Sequence, residues 1–278
     1  MTTRIAKILS IAGSDPSGGA GIQGDLKTFS ALGCYGMAAV TALTAQNTLG
    51  VQAVQPVAAD FVAAQIDSVF SDIKVDAVKI GMIGAPDNVA AIAGQLERHV
   101  ARNVVLDPVL AATGGKSLGG DELVAPIIAQ LFPLARLVTP NLMEGALFAD
   151  GRMAENPDEM RAVALKLHGL GARAVLVKGG HLPGGPACDL LYDGADFIEF
   201  SSPRVVTRNS HGTGCALASA IAARLGQGAE LKEAVGDAKA FLSAALAAGA
   251  TLDIGAGHGP PHHFFALWPT RSTRAGPR

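Results

Sequence analysis

Residues 207–226 read TRNSHGTGCALASAIAARLG, and this stretch predicts a strand end, a glycine-rich turn His211-Gly212-Thr213-Gly214-Cys215, and then a long Ala/Leu-rich helix. A turn of this kind aims several backbone N–H groups, and the positive end of the helix dipole, at one spot. Such a spot attracts anions, phosphate above all. Cys215 sits on the first helical turn, where the same field is expected to lower its thiol pKa. An anion cradle beside an activated side chain points to phosphoryl transfer.

The remaining chain sets the frame for that idea. It has 278 residues, 49% of them hydrophobic, with a formal net charge of −2. That length suffices for a large core in one α/β domain or two smaller ones. The near-neutral balance offers no basic footprint for nucleic acid. The longest apolar stretches run to about ten residues, too short for a membrane span. The start, MTTRIAKILSIAGSD, lacks a signal-peptide pattern, and the three cysteines do not build a disulfide framework. The expectation is a soluble cytoplasmic globular protein without nucleic-acid or membrane partners. Residues 1–268 are read as one domain, because no linker or repeat interrupts them, and 269–278 as a flexible tail.

Short β-rich runs alternate with helical periodicity. The strand-like runs are Ile5–Ile11, Met37–Thr44, Val78–Ile80, Val104–Leu106, Leu137–Val138 and Ala174–Val177. Between them, Val62, Ile66, Val69, Phe70 and Ile73 share one helix face, with Asp60 as N-cap candidate. Val89, Ile92, Ala93 and Leu96 mark another helix. Asn156-Pro157-Asp158-Glu159 starts a third, which Gly171 closes. This alternation predicts an α/β fold with a mostly parallel sheet. Ala39–Asn47 with Val51–Val57, and Leu190–Tyr192 with Phe197–Phe200, read instead as antiparallel pairs at an edge or flap.

Ligands of open parallel sheets bind beyond the carboxyl ends of the strands. Polar residues collect at those ends here: Ser14-Asp15, Asp107, Thr139-Pro140-Asn141, Lys178-Gly179-Gly180, and the 212–215 turn after an expected strand Val205–Thr207. Gly19-Ala20-Gly21-Ile22-Gln23-Gly24 matches the dinucleotide fingerprint in letters. It lacks the acid about twenty residues on that would bind a ribose, since none occurs between Asp25 and Asp60. The loop is read as one where backbone approaches a ligand, with Asp25 either in the site or complementing the helix start. Gly115-Lys116-Ser117 is not a P-loop, because position 110 is Leu; Lys116 is placed on a lid-like loop. Lys178 reads as either a surface cap of its strand or, favoured by the two glycines that follow, a phosphate contact, and Glu144 as either a first-turn acid or a Mg²⁺ ligand through water. His262-His263, Cys34 and Cys188 are assigned to packing. His211 either flanks the phosphates or caps its turn.

Taken together, the motifs resemble the hydroxymethylpyrimidine/phosphomethylpyrimidine kinases. The similarity rests on the run Ala12–Gln23 with Asp25-Leu26-Lys27-Thr28, on Thr44–Thr48, Lys79-Ile80-Gly81-Met82 and Leu106-Asp107-Pro108-Val109. It continues through Thr139–Leu142 with Glu144, Lys178-Gly179-Gly180-His181 and His211–Cys215. The resemblance implies a ribokinase-like three-layer sandwich with a small edge β-flap, a homodimer, and Mg-ATP as phosphoryl donor. The implied reaction phosphorylates 4-amino-5-hydroxymethyl-2-methylpyrimidine and then its monophosphate, in thiamine biosynthesis. It implies Gln46, Asp25, Gly13, Met82 and Val109 around the pyrimidine, and Gly212, Thr213 and Gly214 as anion hole. Cys215 and Lys178 become catalytic, Asn141, Asp107, Thr213 and Lys239 serve ATP, and Glu144 serves Mg²⁺. Met143, Gly145 and Lys116 depart from the family's usual Pro, Ala and Asp. The rival readings are a pyridoxal or pyridoxine kinase, and an inactive ligand-binding protein on the same fold.

Overall fold

In the computed structural model, residues 4–110, 120–149, 151–180, 182 and 184–268 are described. The lid reading of Lys116, the motif residue His181 and the tail 269–278 lie outside them. The chain begins with β1 (Lys7–Ser14), α1 (Gly21–Ala31), β2 (Tyr35–Asn47), β3 (Gly50–Pro56), α2 (Ala59–Asp72), β4 (Ala77–Ile80), α3 (Pro86–Arg98) and β5 (Val104–Leu106). There follow α4 (Val124–Pro126), prolonged by a π-helical turn Ile127–Leu131, then β6 (Leu137–Val138), α5 (Leu142–Ala149) and α6 (Pro157–Gly169). The last elements are β7 (Val175–Gly179), β8 (Ala187–Tyr192), β9 (Phe197–Ser202), α7 (Thr213–Gly226) and α8 (Leu231–Gly249).

Among the described residues, nine strands join one sheet in the order β3-β2-β1-β4-β5-β6-β7-β8-β9. The six from β2 to β7 run parallel, whereas β3 pairs antiparallel with β2, and β8 and β9 pair antiparallel beyond β7. The alternation of sequence patterns thus becomes the three-layer α/β sandwich, with β2–β3 as the edge flap. Side chains of successive strand residues face opposite layers. Leu9, Ile11, Val78, Ile80 and Leu106 pack with Val62, Ile66, Val89, Ile92 and Leu167 of α2, α3 and α6. Ile8, Ala77, Val105 and Leu176 pack with Phe29, Leu217, Ile221 and Val235 of α1, α7 and α8 on the other face. The alanines of α7 are almost all fully buried, which lets that helix lie close against the sheet centre.

Three local expectations are corrected. No strand forms over 205–207: β9 ends at Ser202, Pro203 cannot donate to a ladder, and Val206 is 97% exposed. The N-cap of α2 is Ala58, and Asp60 lies inside its first turn. Asp25 is not a first-turn acid of α1. Asn156 does cap α6, accepting from Glu159 N–H, with Pro157 at the first position, and Gly171 follows with φ 110.

Candidate active site

The carboxyl ends of β1, β4, β5, β6 and β7 open into one cavity of about 600 Å³. Gly13, Gln46, Met82 and Val109 line one end, and Asn141, Glu144, Lys178 and Lys239 the other. Gly212, Thr213, Gly214 and Cys215 lie along the same wall set. The N-cap of α7 is Gly212, left-handed with φ 78, and no side chain caps the helix. Thr213 N makes one long bond, to Ser210 O at 3.4 Å, and with no side-chain cap the head of the helix is suited to an anion. Glycine is required at 212 for a second reason. A Cβ there would stand 2.1 Å from Gly19 O, so the 15–21 loop and the anion turn are in backbone contact.

Asp15 organises that junction. Its carboxylate accepts from Ser17 N (2.9 Å), Ser17 Oγ (2.7 Å), Gly19 N (3.1 Å) and Ala20 N (2.9 Å). It also accepts from His211 Nε2 at 2.9 Å. Burial works against the charged carboxylate, but these bonds outweigh it and hold its pKa below the ordinary value. Gln46 Nε2 lies 3.2 Å from the same His211 nitrogen. Because Asp15 is acceptor-only, that ring nitrogen carries its proton towards Asp15. The Gln46 oxygen accepts from Thr44 Oγ1 at 3.3 Å. His211 thus links Gln46 and Asp15 at the head of the 212–214 turn, a placement that its sequence position left open.

At the other end, Lys178 Nζ donates to Asp107 Oδ1 at 2.6 Å and lies 3.9 Å from Glu144 Oε2. A Cβ on Gly214 would be 3.2 Å from Lys178 Nζ, so the lysine and the turn serve the same spot. Burial alone would lower the Lys178 pKa; Asp107 and Glu144 overcome this and raise it, keeping it an ammonium. Asn141 and Glu144 form a reciprocal capping box on α5: Asn141 N donates to Glu144 Oε2 (2.8 Å), and Glu144 N to Asn141 Oδ1 (2.9 Å). Burial pushes the Glu144 carboxyl up to about 7, with Lys178 pulling it down and Asp107 pushing it up. Lys239 is paired with Asp189 at 2.6 Å. Asp189 also accepts from Gly179 N at 3.0 Å.

Two site expectations fail. Asp25 does not line the cavity. It is fully buried, accepting from Ser10 Oγ (2.6 Å), Ser219 Oγ (2.7 Å) and Lys79 Nζ (2.9 and 3.0 Å). The lining residue is Lys79, which the sequence reading passed over as part of a strand. Cys215 is not acidified. Burial pushes its thiol up to about 11, although Lys79 pulls it down and Gly21 N–H bonds to it. The helix field is too weak to offset desolvation there. Cys215 therefore enters as a thiol. His262 and His263 are buried as expected. Among the described residues no group of three His, Cys, Asp or Glu forms a metal cluster.

The phosphomethylpyrimidine kinase family profile matches residues 15–262. The chain belongs to the phosphomethylpyrimidine kinase family. A relative from Rhizobium meliloti, the hydroxymethylpyrimidine/phosphomethylpyrimidine kinase, is 54% identical over 94% of this chain and 97% of its own. Among solved structures, the phosphomethylpyrimidine kinase of Clostridium difficile superposes with TM-score 0.76 at 41% identity, covering 86% and 98%. The pyridoxal kinase of Bacillus subtilis, solved with ADP, gives TM-score 0.86 at 38% identity, covering 94% and 98%. The kinase shares its ribokinase-like frame with both vitamin kinases, so fold alone does not choose between their substrates. No helix among the described residues is long and apolar enough to cross a membrane.

Proposed function

We propose that this kinase transfers the γ-phosphoryl group of ATP to the hydroxymethyl oxygen of 4-amino-5-hydroxymethyl-2-methylpyrimidine, and a second one to the resulting monophosphate, in thiamine biosynthesis. One observation carries the reading: Gln46 and the 212–214 turn meet through His211 in a single cavity. A small heterocycle can therefore present its amino-pyrimidine edge to the Gln46 carboxamide and its CH₂OH to the anion turn. Met82 and Val109, which line that end, supply apolar faces for the ring.

Phosphoryl transfer has a loose transition state, so positioning and charge dominate. The amides of Gly212, Thr213 and Gly214 and the Lys178 ammonium stabilise the equatorial oxygens. The proton of the attacking hydroxyl leaves late in such a transition state, and a thiol at about 11 is a poor base for it at neutral pH. Cys215 then acts by packing against the hydroxymethyl group. The donor set at the far end fits Mg²⁺: Asp107 and Glu144 offer two adjoining carboxylates, hard oxygen ligands, with which Lys178 pairs in its place. Held through water there, Mg²⁺ would neutralise charge on the triphosphate. Asn141 and Lys239 border the nucleotide. The same reading carries a cytoplasmic homodimer, one catalytic domain over 1–268.

Incubation with Mg-ATP, the pyrimidine and pyridoxine in competition, with product masses read, tests it. Mass gains of one and then two phosphates on the pyrimidine support the proposal. Phosphate on pyridoxine alone would move the enzyme to the rival vitamin, and none on either would make it a binding protein.

A further inference from the structure

Arg204 follows the last strand and carries an unusual set of partners. Its Nη1 donates to Gly180 O, its Nη2 to Leu182 O at 2.8 Å, and Nη2 and Nε reach Gly184 O at 3.5 Å and Gly185 O at 3.4 Å. Every acceptor is a main-chain carbonyl of the β7–β8 connection. The sequence there, Gly179-Gly180-His181-Leu182-Pro183-Gly184-Gly185-Pro186, is poorly able to hold itself. Two prolines lack an N–H, and the glycines leave the backbone broad freedom. Gly184 and Gly185 are both left-handed, with φ 70 and 61. Among the described residues, the backbone bond within this stretch is Leu182 N to Gly179 O at 2.9 Å. The rigid guanidinium fork, whose donors have fixed directions, takes the place of missing turn bonds.

The connection starts directly after Lys178. Gly180, Ala187, Ser202, Pro203, Arg204 and Val205 all face the cavity, opposite Lys239, Leu242 and Leu246 of α8. We propose that Arg204 is a positioning residue that locks the β7–β8 connection into one wall of the nucleotide slot, selecting for the base and ribose rather than binding phosphate. Its donors are already directed at carbonyls, so it is not a free cation for the phosphates. The inference rests on the reading of this end of the cavity as the ATP site.

The test measures binding of ADP and of adenosine by calorimetry, together with steady-state KM values, for Arg204→Ala, Arg204→Lys and the control Arg161→Ala. Arg161 lies away from the cavity, pairing with Glu199 and resting over the Phe197 ring of β9. In Arg204→Ala, the Kd for ADP and adenosine and the KM for ATP all rise about tenfold or more, while the KM for the pyrimidine moves less than twofold. Amide hydrogen exchange in a peptide covering 180–187 speeds up. Lysine, a point charge, restores little. Unchanged ADP and adenosine affinity overturns the proposal. So does weakened ADP with intact adenosine, which would make Arg204 a direct phosphate contact. A wild-type protein that binds neither ligand would instead remove the kinase reading itself.

Discussion

Replacing Lys79 by Met is expected to be the most damaging single core change near the site. The Lys79 and Asp25 side chains are both 0% exposed, and Nζ donates to both carboxylate oxygens, at 2.9 and 3.0 Å. Asp25 takes two further bonds, from Ser10 and Ser219. Lys79→Met removes the counter-charge and leaves a carboxylate among two hydroxyls in the centre of the molecule. Breaking one partner of a buried pair costs about 3–5 kcal/mol. At about 2–3 °C per kcal/mol for a protein of this size, the melting midpoint falls by about 6–15 °C. The charge-free double variant Asp25→Leu/Lys79→Met behaves differently. It loses the acceptor of two serine hydroxyls, about 1 kcal/mol each, but escapes the desolvation of both ions. Its midpoint returns to within about 5 °C of the parent.

Thermal unfolding followed by circular dichroism on the four proteins of this cycle, adding Asp25→Leu, reads the coupling directly. The pair also has a pH signature. Burial lowers the Lys79 pKa, but Asp25, Cys215 and Asp107 overcome it and the net shift is upward. A group raised in the folded state contributes stability that is fully present below its unfolded value and lost only as pH climbs through the folded one. Parent and double variant should therefore show the same midpoint difference from pH 6 to 9. A Lys79→Met midpoint within about 2 °C of the parent, or a double variant as unstable as the worse single one, would refute the claim that the two charges hold each other in place.

Three other outcomes are expected. Glu144→Gln keeps the capping box, since Gln also serves at that position, but removes the charge; because burial raises the folded pKa of Glu144 to about 7, the native state binds the extra proton between the ordinary carboxylate range and 7. Stability of the Mg²⁺-free parent therefore declines with rising pH across that window, the decline is absent in Glu144→Gln, and kcat of the variant falls at least tenfold; a parallel pH dependence in calorimetric scans of the two proteins would contradict this. Cys215→Ser retains at least a tenth of the parent kcat at pH 7.5, and the parent rate shows no dependence on a thiol ionising below pH 9; a loss of a thousandfold would restore the base role. Gly212→Ala lowers kcat at least a hundredfold, because a left-handed alanine costs about 1–2 kcal/mol and its Cβ would collide with Gly19 O; activity within threefold of the parent would show that the turn is not the phosphoryl cradle.

Which of these residues the sequence revealed follows from how far apart their partners lie. The cradle was legible because glycine turn, thiol and helix are contiguous. The strands β5 and β6 were legible to the residue, since short runs of Val and Leu bounded by polar residues have few other readings. Glu144 was placed on the first turn of its helix, but its reciprocal bonds with Asn141 and its place beside Lys178 came only with the structure. What stayed hidden depends on pairings across the chain. Asp15 and His211 are 196 residues apart, and Asp25 and Lys79 are 54 apart. The clue for Lys79 was a lysine inside Ala77-Val78-Lys79-Ile80, a run otherwise fit for full burial. A charge in such a strand demands a buried partner, but only the fold says that α1 supplies it. The thiol was misread for a related reason. A helix terminus visible in the sequence lowers a pKa by a modest amount, whereas the burial that raises it is a property of the assembled layers.

The same accounting explains the charge arrangement around the cavity. Among the described residues, the three lysines lining it are already paired: Lys79 with Asp25, Lys178 with Asp107 and Lys239 with Asp189. In the absence of ligand this keeps cations from facing one another across a poorly solvated space. A bare polyphosphate would gain the lysines only against the carboxylates that hold them, so net attraction is small. On the proposed reading, a polyphosphate arriving with a divalent cation would meet less conflict, because Asp107 and Glu144 would hold the cation while Lys178 would be released towards phosphate. Lys79 is the exception: Asp25 is sealed behind it by Ser10 and Ser219, so that ammonium stays fixed. The difference between the two lysines lies in their carboxylates: Asp107 faces the cavity, so Lys178 would be free to exchange partners on the proposed reading, whereas Asp25 faces the core and keeps Lys79.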